Sequence, residues 1–506
     1  MGGWRARIAR PVGAAILLAS VSLLPAATAI GQDRGLSPSE DRDGRPDTHG
    51  RFERHDHEHG GHRARRARAG ITPPYTRDIF PSTYKPLPRE DTLIVHANIL
   101  DGEGHRIEDG ELLMHDGTIG GVGRGLRRDG ARVIDAAGRW VTPGIIDVHT
   151  HDGTYVLPLT TIDERSSDVS ELGDPNAAGT WIETAINPQD IAFARALSRG
   201  VTTLQVLPGS DPIFGGRSVV LKPIPATTMQ GMKFPGAPQG MKMACGENPK
   251  STDAERARGP TSREGEVEFI RSAFGQAHHY MHEWQEYVDG EDDEPPRDDP
   301  RLDTLSAVLQ GKIAVHMHCY RADEMAVMID LSKEIGFRIA AFHHAVEGYK
   351  IAPLFAANHI CAVVWSDWWG YKMEASDGIR ENGAFIDAAG GCVMMHSDSP
   401  FLGQWLNVEA GKAAAAGRRA GLSLPPEHVI QWLTLNPAKA LGLQDRIGSL
   451  AIGKNADAVI WSANPFSVYA KPDVVFVDGA VAFDRADPNR QPRTDIELGR
   501  MPEARP

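Results

Sequence analysis

Short apolar runs recur between residues 145 and 395, and they constrain the fold more than any other feature of this chain. They are Ile145-Ile146, Val201–Val206, Ile313–Val315, Ile339–Phe342, Ala362–Trp365 and Cys392–Met395. Each is too short for a helix, and several are separated by helical stretches such as Arg321–Ile335 and Gly348–Ala357. Repeated β–α alternation of this kind implies parallel strands buried on both faces. The span 144–444 therefore predicts a (β/α)8 TIM-type barrel within an α/β class fold. The acidic, Pro-containing stretch Ala277–Pro300 reads as an insertion on a barrel loop.

The flanks follow a different period. Asp91–Leu100 alternates and ends in Asp101-Gly102, and Leu112–Gly117 and Arg132–Asp135 are further short β-like runs. At the other end Ala456–Trp461 and Asp473–Val477 read as strands, with Asp478-Gly479 as a hairpin turn. One small β-sandwich built from both chain ends, residues 89–143 and 445–486, is expected, followed by a tail over 487–506.

Arg5, Arg7 and Arg10, an apolar run from Val12 to Leu24 and Ala27-Thr28-Ala29 form the three parts of a secretory signal peptide, residues 1–29. The apolar run falls short of the ~20 residues that span a bilayer. The expectation is a periplasmic or secreted protein with no stable membrane anchor after cleavage. Residues 30–88 read as a disordered His- and Arg-rich linker; His49, His55, His57, His59 and His62 cluster there, and a metal-loading role is the alternative to plain solvation.

The net charge is −13, yet the first 70 residues carry 12 Arg against 8 acids, so the remainder is strongly acidic. An acidic body repels phosphate backbones and argues against nucleic acid as a partner. Four cysteines, Cys245, Cys319, Cys361 and Cys392, lie in or near barrel strands and are expected to be buried free thiols rather than bridges.

Barrel chemistry sits at the C-terminal ends of strands. His149-Thr150-His151 follows Pro143–Val148, and residues two apart on a strand share a side, so both imidazoles face one point, as a metal such as zinc needs. His316-Met317-His318, His343-His344 and Asp398 each follow a later apolar run. Singly, each could be a hydrogen-bonded core histidine or a helix cap. Four such clusters at successive strand ends point to a metal centre.

These motifs, above all Val141–His151 and Gly453–Val459, resemble the amidohydrolase superfamily, in its imidazolonepropionase-like and Xaa-Pro-dipeptidase-like branch, over roughly Asp91–Asp484. The resemblance implies one or two divalent ions, zinc or similar. His149 and His151 match the first-strand ligands, His344 the sixth-strand ligand, and Asp398 the eighth-strand ligand that also shuttles the proton. His343 should point away from its neighbour. For the fifth strand His318 is preferred and His316 is the rival; His318–Glu324 looks like a motif whose second histidine is here Tyr320. A bridging ligand would be Glu247, in Gly246-Glu-Asn-Pro-Lys250, or a carbamylated Lys222. Arg321 and Tyr349 are the substrate-binding expectations, and Trp365–Trp369 could wall the pocket.

The implied activity is hydrolysis of a C–N bond in a small amide or dipeptide by metal-activated water. A deaminase or lactonase, or a non-catalytic metal-containing binding protein, are the alternatives. Self-association is left open.

Overall fold

The computed structural model describes residues 67–493 except 69, 156, 158 and 159. The expected signal peptide, the histidine cluster His49–His62 and the end of the tail lie outside the described residues.

Five strands open the folded chain: β1 Thr92–Leu100, β2 Arg106–His115, β3 Thr118–Gly123, β4 Arg132–Asp135 and β5 Trp140–Pro143. Eight follow: β6 Ile145–Thr150, β7 Val201–Val206, β8 Phe214–Leu221, β9 Gly240–Ala244, β10 Ala314–Cys319, β11 Ile339–His344, β12 Cys361–Val364 and β13 Cys392–Met395. The last three are β14 Ala458–Trp461, β15 Pro472–Val477 and β16 Ala480–Asp484.

Both chain ends meet in one eight-stranded sheet, ordered β16-β15-β14-β5-β1-β2-β3, with β4 also on β1. The sandwich expected there is a single hydrogen-bonded sheet, because β4 and β5 share one edge of β1, at residues 92–95 and 98–99. Its alternating strands send Ile94, Leu112, Met114, Ile460 and Phe476 into a common core. Only Gly144 separates β5 from β6. A Cβ there would lie 2.0 Å from the Thr202 hydroxyl, so the two sheets abut at a residue that must be small.

Strands β6 to β13 form a second sheet in sequence order, a nearly closed barrel. Every residue of β6, β7, β8, β9, β11 and β12 is buried, as continuous apolar runs predict for strands covered on both faces. No ladder joins β13 to β6 among the described residues. The gap is bridged where the Asp398 N–H donates to the His149 carbonyl at 2.9 Å and the Ser397 N–H to Asp147 at 3.3 Å.

One strand departs from the all-parallel expectation. β8 runs antiparallel to both β7 and β9. The link 207–213 is too short for the crossover of about a dozen residues that a parallel return requires. The reversal sends the end of β8 to the opposite mouth of the barrel. Lys222 therefore faces the other sheet, with its ammonium 2.8 Å from Asp478 and 3.3 Å from Asp457, all three buried. That placement removes Lys222 as a carbamylated bridge. Lys222→Met is expected to lower stability by about 3–5 kcal/mol, because it strands two buried carboxylates. Chemical denaturation reads this out; unchanged metal content in the folded variant distinguishes the role from that of a ligand.

Three further expectations are corrected. The acidic stretch Ala277–Pro300 is not simply a loop, since Arg263–Asp289 is a 27-residue helix. Ser262 caps it, Gly290 closes it at φ 77°, and Ile270, Phe274, Ala277, Tyr280 and Trp284 form its buried stripe. The linker ends earlier than residue 88. Tyr75 is buried, its carbonyl accepts from Arg217 at 2.8 Å, and the Tyr84 hydroxyl donates to Asp478 at 2.6 Å, so two aromatic side chains dock this segment. The cysteines are paired, Cys245 with Cys319 and Cys361 with Cys392. Adjacent strands in register bring their Cα atoms to 5.3 and 4.5 Å, within disulfide range, a proximity that sequence separations of 74 and 31 conceal.

Candidate active site

His149 and His151 leave the end of β6 on one side, with ring centroids 5.1 Å apart and nearly perpendicular. The Asp398 carboxylate stands between them, 3.0 Å from His149 Nε2 and 3.2 Å from His151 Nε2. Asp398 adopts φ 55°, a left-handed conformation that its short polar side chain tolerates, and this turns the carboxylate inward after β13. The His151 Nδ1–H donates to the Leu207 carbonyl at 2.8 Å, which fixes the tautomer and leaves Nε2 as a lone pair facing the centre.

His344 sits 5.1 Å from His149, ring to ring, and His318 4.5 Å from His344. His343 does not point away. Its Nδ1 is 2.9 Å from His149 Nδ1, and its Nε2 is 3.0 Å from His316 Nδ1. Alternation fails here because β11 ends at His344, which has φ 73°, with Ala345 at φ 37°. Two adjacent imidazoles thus face the interior. His316 is consumed by His343, whereas both ring nitrogens of His318 are buried without a hydrogen-bond partner.

Burial disfavours the charged form at four of these histidines. It depresses His149, His318, His343 and His344 well below the usual histidine range, with nearby cations such as Lys242 adding to the effect at the first three. At Asp398 burial works against the charged form, but His344, His151 and His396 outweigh it and keep the carboxyl well below the ordinary range. The result is a carboxylate among imidazoles, the donor chemistry that a divalent ion such as zinc takes. Donor atoms of His149, His344, His396 and Asp398 lie within 4.8 Å of one another. Both nitrogens of His396 and Nδ1 of His344 are also buried without a partner. These orphaned atoms fit a metal.

Glu247 is not in that group. It begins the helix Glu247–Glu255 and is half-buried; its N–H donates to Glu374 at 2.7 Å and its carboxylate accepts from the Glu374 N–H at 3.2 Å. Arg321 is exposed and its fork is filled by Asp323, at 3.1 and 3.3 Å. Tyr349 is half-buried and its hydroxyl donates to the Asp377 carbonyl at 3.2 Å. Trp365 does wall the pocket, stacked on His344 at 4.4 Å. Tyr320 is buried beside His318 and bonded to the Tyr371 hydroxyl.

The profile of the Amidohydrolase family matches residues 140–482. The chain belongs to that family. A crystal structure of an amidohydrolase from Thermotoga maritima MSB8 superposes with a TM-score of 0.71 and 32% identity, over 78% of this chain and 100% of that one. The amidohydrolase tasK of Hapsidospora irregularis is 30% identical over 404 residues, 74% of this chain and 40% of that protein, so the match spans less than half of that relative. An imidazolonepropionase of Stenotrophomonas maltophilia (strain R551-3) is 26% identical over 398 residues, 72% of this chain and 89% of its own. The chain is therefore an amidohydrolase-superfamily protein on a barrel with an added sheet.

Two residues escaped the sequence reading. His396 stands two before Asp398, the same spacing that marked His149 and His151. Lys242 is a lone lysine in the apolar strand Gly240–Ala244. It is buried with its ammonium 3.3 Å from His149 Nε2 and 3.1 Å from the Pro208 carbonyl, and burial lowers its pKa to about 8. A charged side chain amid strand residues buried on both faces was the available signal.

Proposed function

We propose that this chain hydrolyses a C–N bond of a small amide or dipeptide, with zinc or a similar divalent ion held by His149, His151, His318, His344 and Asp398, and with His396 beside them. The observation that carries this reading is the set of buried, unpartnered imidazole nitrogens around one carboxylate at the barrel mouth. The ion, when bound, supplies Lewis acidity that polarises a carbonyl and activates water. Asp398 accepts a proton from the attacking water and passes it to the leaving nitrogen, so an amide and water become a carboxylic acid and an amine. Leu207 orients His151, and the His316–His343 pair orients His149.

Lys242, beside His149, rather than Glu247 or Lys222, would supply the further ligand if a second ion binds. Its amine adds to carbon dioxide with loss of a proton, giving a carbamate beside His149. Lys242→Ala should lower metal content and activity together, whereas Glu247→Ala should spare metal content. Intact mass should show one added carbon dioxide on the native protein. The reverse ranking of the two variants sinks this assignment. Export to the periplasm or medium belongs to the same proposal, supported by the basic and apolar parts of residues 1–29, and N-terminal sequencing of the mature protein tests it.

The activity itself is tested by loading purified protein with zinc and following amine release from a panel of amides and dipeptides. Turnover should vanish with a chelator and return with the ion. A metal-loaded protein that releases no amine from any member of the panel rejects the hydrolase reading in favour of a binding protein.

A further inference from the structure

Beside His344 lies a cavity of about 290 Å³, bounded by the segment between β12 and the helix Asn382–Ala388. That is at the small end of ligand pockets, the size for an amino-acid derivative rather than a long peptide. Its walls are aromatic. Trp365 stacks on His344 and also on Trp368 at 4.6 Å, and the more exposed Trp369 completes the lining.

The polar side chains in the lining are almost all committed. Asp367 is paired with Lys412 at 2.9 Å, and the Ser366 hydroxyl is bonded to Glu409. The Asn382 amide accepts from the Tyr349 N–H at 2.9 Å and donates to the Ala345 carbonyl at 3.0 Å. Arg380 differs. It is exposed, lines the cavity, and has no hydrogen bond or ion pair among the described residues. The cavity therefore offers aromatic faces and one uncommitted guanidinium, a fork that matches a carboxylate.

Arg321, the residue expected to bind a carboxylate, lines a different and more open depression, where Lys250 and Arg263 stand beside Glu247, Glu324 and Glu374. Asp323 already fills its fork.

We propose that the substrate is an amide bearing a free carboxylate and a large aromatic or apolar group, with the carboxylate held by Arg380 and the apolar group against Trp365, Trp368 and Trp369. The assignment rests on the hydrolase reading for the reaction, while the binding chemistry of the cavity is separable from turnover.

The test uses zinc-loaded full-length protein and matched probes: N-acetyl-L-phenylalanine, its carboxamide, N-acetylglycine, and the dipeptide Ala-Phe with its carboxamide. Binding is measured by calorimetry and hydrolysis by amine release. Each free acid should bind at least about tenfold more tightly than its carboxamide, as expected for a charge-assisted contact, and N-acetyl-L-phenylalanine more tightly than N-acetylglycine. Arg380→Gln should erase the acid preference, raising KM with little change in kcat, and Arg380→Lys should restore part of it. Trp368→Ala should erase the preference for phenylalanine over glycine. Equal binding of acids and carboxamides, no binding of any probe, or loss of the preference in Arg321→Gln with retention in Arg380→Gln overturns the proposal. Acid-selective binding without hydrolysis of any amide would leave the cavity assignment standing and reject the hydrolase reading alone.

Discussion

Asp398→Asn is expected to reduce kcat by about 10²–10⁴, the range for loss of a general base, or roughly 3–5 kcal/mol at 1.36 kcal/mol per tenfold. The side chain is well placed to carry such an effect. Its carboxylate lies 3.0 and 3.2 Å from two imidazoles and is held ionised by the histidines around it. Asparagine keeps the size and one oxygen, so the backbone bond from residue 398 to the His149 carbonyl and the turn after β13 should persist. What it loses is the capacity to accept a proton. KM should move little, because a lost transition-state interaction lowers kcat and kcat/KM together. Metal content must be measured on the same sample, since a lost ion would imitate the result. A variant that keeps its metal and more than about a tenth of kcat, a loss below the general-base range, shows that Asp398 only closes the barrel between β6 and β13.

Breaking the two disulfides should cost similar stability and very different activity. In the chain-entropy treatment, loops of 74 and 31 residues correspond to about 4 kcal/mol each. Their positions differ. Cys361 and Cys392 begin β12 and β13, at the mouth away from the site. Cys319 ends β10 next to His318, and the Cys245 N–H donates to the His318 carbonyl at 2.9 Å. Paired serine substitutions at either bridge should therefore lower the denaturation midpoint to a similar extent. Only Cys245→Ser with Cys319→Ser should also lower metal affinity and kcat, because only that bridge fixes the strand end carrying His318. Equal effects of the two double variants on metal affinity would disprove the positional argument.

The amino-acid order by itself determined which residues lie at strand ends. His149, His151, His318, His344 and Asp398 follow apolar runs, and a strand period of two places an H-x-H pair on one side whatever surrounds it. Apolar runs buried on both faces and alternating runs at the chain ends likewise made the barrel and the outer sheet legible, since burial acts locally on each strand. The tertiary structure decided everything that depends on which strand neighbours which and in what direction. The reversed strand β8 carries Lys222 to the far mouth, into an ion pair with Asp457 and Asp478, while Lys242 on the parallel strand β9 arrives beside His149. Left-handed backbone at His344 brings two consecutive histidines to the same interior. Register alone sets Cys361 opposite Cys392, and competition for partners decides that Asp323 occupies Arg321 while Arg380 stays uncommitted. Strand direction, backbone handedness and the allocation of partners are properties of the folded assembly, and local pattern carries no term for them.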